Sequence, residues 1–285
     1  MHRLILHNDE IRNASELCIA PGQIGYMTGW GVFSTLRVSR GVLFAFERHW
    51  ARMKRDAELL RVPMPANGDW LEERLMKLVE ANEAYEATLR VNLVRNRGGM
   101  FEGPELEREY DLIAFTTDLK KWGESVKLGV VPQARHAANR YAGTKVTSWV
   151  FNLNLYEEAQ QMGFDEVVLL NERGEVSECT SANIFVVIGS DVLTPPLSSG
   201  CLAGITREVL LSEIRLPWIL ISEQVLTTAD LQIADEVFIT SSTRDVLPVN
   251  SIHGLDINRN DRVWPQLRGA FRSYIETYVG SKVRA

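Results

Sequence analysis

The chain has 285 residues, of which 45% are hydrophobic and 24% charged, with a formal net charge of −6. These proportions predict a globular core in one large domain or two modest ones, and they exclude disordered, collagen-like and coiled-coil readings. The acidic balance argues against nucleic acid or an anionic membrane surface as the main partner.

Cys18, Cys179 and Cys201 are widely spaced and form no CxxC pair. They fit free thiols in a reducing compartment better than a disulfide framework or a zinc site. No apolar run approaches the ~20 residues of a membrane helix, and the N-terminus turns charged before a signal-peptide core could form. A soluble, cytoplasmic protein is expected. No internal repeat is visible.

In chain order, Gly29-Trp30-Gly31-Val32-Phe33-Ser34 begins like a GxGxxG loop, but Ser34 stands where the third glycine should be. No early βαβ unit frames it, so it reads as a tight turn into a strand. Residues 42–46 read as a strand running into a helix through Leu60. Phe46, Trp50, Met53, Ala57 and Leu60 form its apolar stripe, with Arg48, Arg52 and Arg55 off it, and His49 reads as an ordinary surface or packing histidine. Pro63 and Pro65 stop that helix.

Leu71, Leu75, Leu78 and Val79 mark a second helix, and strands are expected at 89–94 and 110–116. The polar stretch 118–124 reads as a linker between a small α/β domain (1–117) and a larger one (125–285). Beyond it the pattern predicts a strand at 126–131 and a helix from Thr147 or Ser148 to Gln161, apolar at Trp149, Leu153, Tyr156 and Ala159. A hairpin-like stretch follows, 164–170 and 175–188 with a break near Ser181. Gly204 precedes a helix opening at Ile205-Thr206, Thr227 or Thr228 caps a short helix, and a strand at 236–240 ends in Ser241-Ser242-Thr243-Arg244. Strands and helices interleaved in both halves, with hairpins included, predict an α+β fold in two domains.

There is no GxxxxGK[ST] phosphate loop and no GxSxG elbow. The five histidines have no metal-ligand spacing, so no metal is expected. Three features are left. Lys145 sits at the mouth of a helix. Glu178-Cys179-Thr180-Ser181-Ala182-Asn183 interrupts an apolar ladder with a carboxylate and small polar groups. Gly204-Ile205-Thr206 and Ser241-Ser242-Thr243 are both suited to an anion. A lysine amine, a distant carboxylate and a two-part phosphate cup match the needs of pyridoxal 5′-phosphate.

The order and spacing of these segments resemble the fold-type IV, class IV aminotransferase family: branched-chain aminotransferases, D-amino acid aminotransferases and 4-amino-4-deoxychorismate lyases. The likeness runs over nearly the whole chain. It is densest from Lys145 through Gly163-Phe164-Asp165-Glu166-Val167, Ser181-Ala182-Asn183-Ile184-Phe185 and Leu202-Ala203-Gly204-Ile205-Thr206-Arg207, and continues in Ala234-Asp235-Glu236-Val237-Phe238. It implies a two-domain enzyme of the D-amino acid aminotransferase-like fold, a homodimer, with the lysine in the larger domain. By the same resemblance Lys145 is the lysine that bonds the cofactor and moves the substrate proton. Glu178 faces the pyridine nitrogen, Arg52 grips the phosphate, and Ile205, Thr206, Ser242 and Thr243 form the phosphate cup.

Substrate choice is less legible. Phe33-Ser34-Thr35-Leu36-Arg37-Val38 resembles the lyases more than the Phe-Glu-Gly-Ile-Arg form of branched-chain enzymes. Arg90 falls where those enzymes have Tyr-x-Arg, but Thr88 stands at the tyrosine position. After Arg97-Gly98 the sequence Gly99-Met100-Phe101-Glu102-Gly103 holds no Arg-x-His carboxylate trap, whereas the second half looks closest to branched-chain enzymes. Phe33, Arg37, Arg90, Arg97 and Arg244 are candidate substrate contacts. The expected reaction is exchange of an amino group between an amino acid, most of all a branched-chain one, and a 2-oxo acid. Lyase chemistry on aminodeoxychorismate is the alternative, and a D-amino acid or amine transaminase stands behind it.

Overall fold

The structure, a computed structural model, describes residues 1–17, 19–20, 22–99, 108–258 and 260–283. Cys18 and residues 100–103, where a carboxylate trap would fall, lie outside the described residues. The chain divides into two compact units. One holds Met1–Lys120, Thr144–Trp149 and Thr277–Ala285; the other holds Lys121–Gly143 and Val150–Glu276.

The first unit carries β1 (Leu4–His7), β2 (Glu10–Asn13), α1 (Ile24–Thr28), β3 (Gly31–Ser39), β4 (Val42–Leu43), α2 (Phe46–Leu60), α3 (Gly68–Ala81), β5 (Ala87–Arg95) and β6 (Tyr110–Asp118). Its sheet runs β2-β1-β6-β5-β3-β4, antiparallel throughout. The period-2 pattern of β5 buries Ala87, Leu89, Val91 and Leu93 and leaves Thr88, Arg90 and Asn92 half-buried. Leu36, Met53, Leu71, Leu75 and Leu78 complete the core between the sheet and its two long helices. Because register pairs Ser34 with Val91 and Thr35 with Arg90, Ser34 lies on the core face and Arg90 on the opposite one.

The second unit carries β7 (Val126–Arg135), α4 (Val150–Gln161), β8 (Glu166–Asn171), β9 (Val176–Cys179), β10 (Asn183–Ile188), β11 (Asp191–Thr194), α5 (Ile205–Ser212), β12 (Leu220–Glu223), α6 (Thr228–Ile233), β13 (Glu236–Ser241) and β14 (Asp245–Ile252). The last helix, α7, spans Trp264–Val283. The sheet runs β12-β11-β10-β13-β14-β7-β8-β9, parallel at β11/β12, β14/β7 and β7/β8 and antiparallel elsewhere. Val168, Ile184, Val186, Ile239, Leu247 and Leu231 fill its core, and Phe185 stacks on Phe238 at 5.1 Å. The mixed helix-and-sheet architecture agrees with the α+β expectation.

Several elements differ from the sequence reading. Residues 42–46 give only the two-residue β4, after which Ala45 turns left-handed (φ 53°) and α2 begins at Phe46. Helix α4 starts at Val150 rather than at 147 or 148, because the Thr147 N–H is already committed to the Gly31 carbonyl of β3. Of its expected apolar positions Ala159 is buried, Trp149 and Tyr156 are half-buried and Leu153 is exposed; Val150 and Phe151, outside that stripe, are exposed too. The linker was expected at 118–124 and Lys145 in the larger domain. The stretch 144–149 groups with the first unit, because Val146 forms an antiparallel bridge to Val32.

Candidate active site

In the first unit, the Gly29/Gly31 turn seats the lysine segment. Gly29 closes α1 in the left-handed conformation (φ 68°), and a Cβ there would collide with Ser148. Its carbonyl accepts hydrogen bonds from Thr147 Oγ1 at 2.7 Å and Ser148 Oγ at 2.8 Å. Thr147 N–H donates to the Gly31 carbonyl and Phe33 N–H to the Lys145 carbonyl, both at 3.0 Å. From α2, the buried carboxylate of Asp56 accepts the Lys145 N–H at 3.0 Å and pairs with Arg55 at 2.6 Å. Lys145 is therefore tied by its backbone to both β3 and α2.

The Lys145 amine lies 4.5 Å from the centre of the Phe33 ring, and the Arg90 guanidinium carbon lies 3.8 Å from the same centre. Trp149 meets that ring edge-on. Arg90 donates to Asn92 Oδ1 at 3.2 Å, and burial holds its guanidinium below the usual value. Phe33, Arg90 and Lys145 are thus brought together. Arg37 is half-buried further along β3, opposite Thr88, and Arg97 is exposed after β5.

Arg52 is buried rather than off the packed side of α2, because Ser34 of β3 lies beneath it. Arg52 Nη2 donates to Ser34 Oγ at 2.9 Å, and the same oxygen is 2.7 Å from His49 Nδ1. His49 is no surface residue: it is fully buried. Burial first, then the nearby charges of Arg52 and Lys145, hold its pKa well below the usual 6.5.

In the second unit, Glu178 sits one residue before the end of β9 with both oxygens engaged. Oε1 accepts from Arg135 Nε at 3.1 Å and Oε2 from the Leu202 N–H at 3.0 Å. Asn183 Nδ2 donates to the Leu202 carbonyl at 2.8 Å, and a Cβ at Gly204 would collide with Asn183 Oδ1. Glu178 and Asn183 therefore both hold the loop that enters α5. The first intrahelical bond of α5 runs from Glu208 N–H to the Gly204 carbonyl, so the N–H groups of Ile205 and Thr206 point out of the helix end.

Thr206 Oγ1 is buried and has no hydrogen-bond partner among the described residues. An anion at this helix end would satisfy both the hydroxyl and the N–H groups, so these residues fit a phosphate. Ser242 and Thr243 are half-buried in the turn between β13 and β14. Arg244 is buried, and its guanidinium is committed to Glu166 and Ser181. Cys179 is buried, and burial pushes its thiol well above the ordinary value, as a packing residue requires. Arg135, Ser34, His49 and Asp56 escape the sequence reading because each acts through a partner distant in the chain.

Residues 31–252 match the profile of the amino-transferase class IV family. A D-alanine aminotransferase of Bacillus licheniformis is 27% identical over 271 residues, covering 89% of each chain. The branched-chain-amino-acid aminotransferase of Escherichia coli K12 is 26% identical over 247 residues, covering 84% of this chain and 80% of that protein. A solved structure of branched-chain amino acid aminotransferase from Escherichia coli superposes with a TM-score of 0.87 at 25% identity, over 96% of this chain and 95% of the other.

The lowered pKa of His49 makes stability depend on pH. The unfolded chain binds a proton near pH 6.5 that the folded chain refuses, so the contribution of His49 is complete above about 6.5 and is lost as pH falls below it. Urea unfolding from pH 7.5 to 5 should show the wild type losing stability more steeply than His49→Gln. Parallel pH profiles would refute the assignment.

Proposed function

Because this chain belongs to the class IV aminotransferase family and is an enzyme of that type, we propose that it exchanges an amino group between a branched-chain amino acid and a 2-oxo acid, with pyridoxal 5′-phosphate as cofactor. When bound, the cofactor supplies the carbonyl that takes up the donor nitrogen and a ring that accepts the electrons released at the donor α-carbon. The observation that carries the cofactor reading is the buried, partnerless Thr206 hydroxyl beside the outward N–H groups at the head of α5.

In this reading Lys145 Nζ, as a neutral amine, takes the proton from the donor α-carbon and later returns one to the product. Phe33 beside that amine, with Trp149 edge-on to its ring, limits water there. Glu178 would be the acceptor for the cofactor's ring nitrogen, and Arg135 and the Leu202 N–H keep its carboxylate oriented. Arg52, aligned by Ser34, would grip the phosphate, and Ile205, Thr206, Ser242 and Thr243 would offer N–H and hydroxyl donors to it. Arg90, on the ring of Phe33, is the candidate for the substrate carboxylate.

The natural test is spectroscopic. With L-leucine, L-glutamate and D-alanine added separately, the visible band of the loaded enzyme should be lost with L-leucine and restored by a branched-chain 2-oxo acid. A response to D-alanine alone would reassign the donor. Pyruvate and 4-aminobenzoate released from aminodeoxychorismate, with no amino acid response, would make it a lyase, as the Phe33–Val38 segment resembles.

We also read the exposed Val150, Phe151 and Leu153 of α4 as the contact surface of a homodimer in the cytoplasm. No helix among the described residues is long and apolar enough to cross a membrane. Sedimentation should give twice the chain mass for the wild type and a shift toward the single chain for Phe151→Asp. An unshifted variant would move the interface elsewhere.

A further inference from the structure

We propose that Glu166 and Arg244 form a positioning pair that fixes where the Ser242–Thr243 turn stands relative to the end of the Glu178 strand, a role that rests on the cofactor reading above. Both side chains are almost wholly buried, 1% and 4% exposed, with Arg244 Nη2 at 3.3 Å from Glu166 Oε2. Burying two charges is costly unless their remaining hydrogen-bonding capacity is used, and in general a buried ion pair is weak evidence of added stability. What the charged pair adds is geometry.

Glu166 opens β8 and reaches the bend between β9 and β10. Its Oε1 accepts from the Thr180 N–H at 3.1 Å and from the Thr180 hydroxyl, and its Oε2 accepts from Ser181 Oγ at 2.6 Å. This bend follows directly on Glu178-Cys179 and is closed by Cys179 N–H donating to the Ala182 carbonyl at 2.8 Å. One carboxylate thus holds the strand end that presents Glu178.

Arg244 reaches the same bend from the other side. Nη1 donates to the Ser181 carbonyl at 3.0 Å and Nη2 to Ser181 Oγ at 2.9 Å. Its backbone N–H closes the turn onto the Ser241 carbonyl at 3.2 Å and onto Ser241 Oγ at 3.3 Å, which leaves Ser242 and Thr243 as the residues the turn presents. Trp122 secures the arrangement twice. Its ring centre is 3.9 Å from the Arg244 guanidinium carbon, and its indole N–H donates to the Thr243 carbonyl at 3.1 Å. Arg244 therefore acts through the turn and not on the substrate carboxylate for which its charge made it a candidate.

The test compares wild type, Trp122→Phe, Arg244→Lys and Arg244→Met. For each, the affinity of the apo-protein for pyridoxal 5′-phosphate and for inorganic phosphate is measured, together with the KM for the amino donor at saturating cofactor. Arg244→Met should raise both dissociation constants by about tenfold or more, with Arg244→Lys intermediate because it keeps the charge and loses the planar fork. Trp122→Phe keeps the ring under Arg244 and loses only the bond to Thr243, so it should weaken both ligands less. Donor KM should stay within about twofold of wild type.

A raised donor KM with unchanged cofactor and phosphate affinity would overturn the proposal and return Arg244 to the substrate site. Unchanged values throughout would overturn it too. If Arg244→Met does not fold, Arg244→Lys and Trp122→Phe carry the same comparison. A wild type that binds phosphate but no pyridoxal 5′-phosphate would overturn the cofactor reading, while loss of phosphate affinity in the variants would still support the positioning role.

Discussion

The antiparallel bridge between Val32 and Val146 is the contact on which the candidate chemistry of the first unit depends. It lays the lysine segment along the start of β3, so that the Lys145 carbonyl meets Phe33 N–H while its own N–H meets Asp56. A lysine side chain carries large rotamer entropy, and a backbone held at both N–H and C=O leaves only that side chain to be ordered. The strand and helix that hold it also bring Phe33, Ser34, His49 and Arg52, so a charge-gripping arginine and the amine are set by one framework. The small Gly29 and Gly31, which resemble a nucleotide loop on paper, serve this docking by letting Ser148 and the Thr147 side chain approach.

The second unit uses two carboxylates in different ways. Glu166 is sealed, and its lone pairs are taken by two hydroxyls, two backbone N–H groups and a guanidinium, so it acts only through the groups it holds. Glu178 stands at a strand end with one partner on each oxygen, and a carboxylate with about four acceptor directions retains capacity for a further donor. The orphaned Thr206 hydroxyl at the head of α5 is the counterpart on the anion side. Buried polar groups that lack partners cost stability, and function is the usual reason they persist.

The elements carried by local signals were legible in the sequence. Leu71, Leu75, Leu78 and Val79 repeat at helical spacing and are all buried in α3, and Gly204 does precede a helix at Ile205. Lys145, Glu178 and the hydroxyl turn stood out because each interrupts an apolar pattern with chemistry that packing does not require. Arg52 was singled out through the family resemblance alone, since in the sequence its helical position looks like those of Arg48 and Arg55. The Ser34–His49 pair, Asp56 under Lys145 and Glu166 under Arg244 could not be read, because the partners lie 15, 89 and 78 residues apart and only strand register brings them together. Leu153 misled in the opposite sense: its helical spacing predicts a packed position in α4 and it is exposed, as hydrophobicity alone does not say which surface a residue faces.

The measurement that bears most directly on this account is covalent mapping of the cofactor lysine. The protein would be incubated with pyridoxal 5′-phosphate, reduced with borohydride, digested and sequenced by mass spectrometry. One stoichiometric phosphopyridoxyl group on Lys145 is the expected result. Modification spread over several exposed lysines, or none at Lys145, would contradict the role given to this residue and to the backbone framework that holds it.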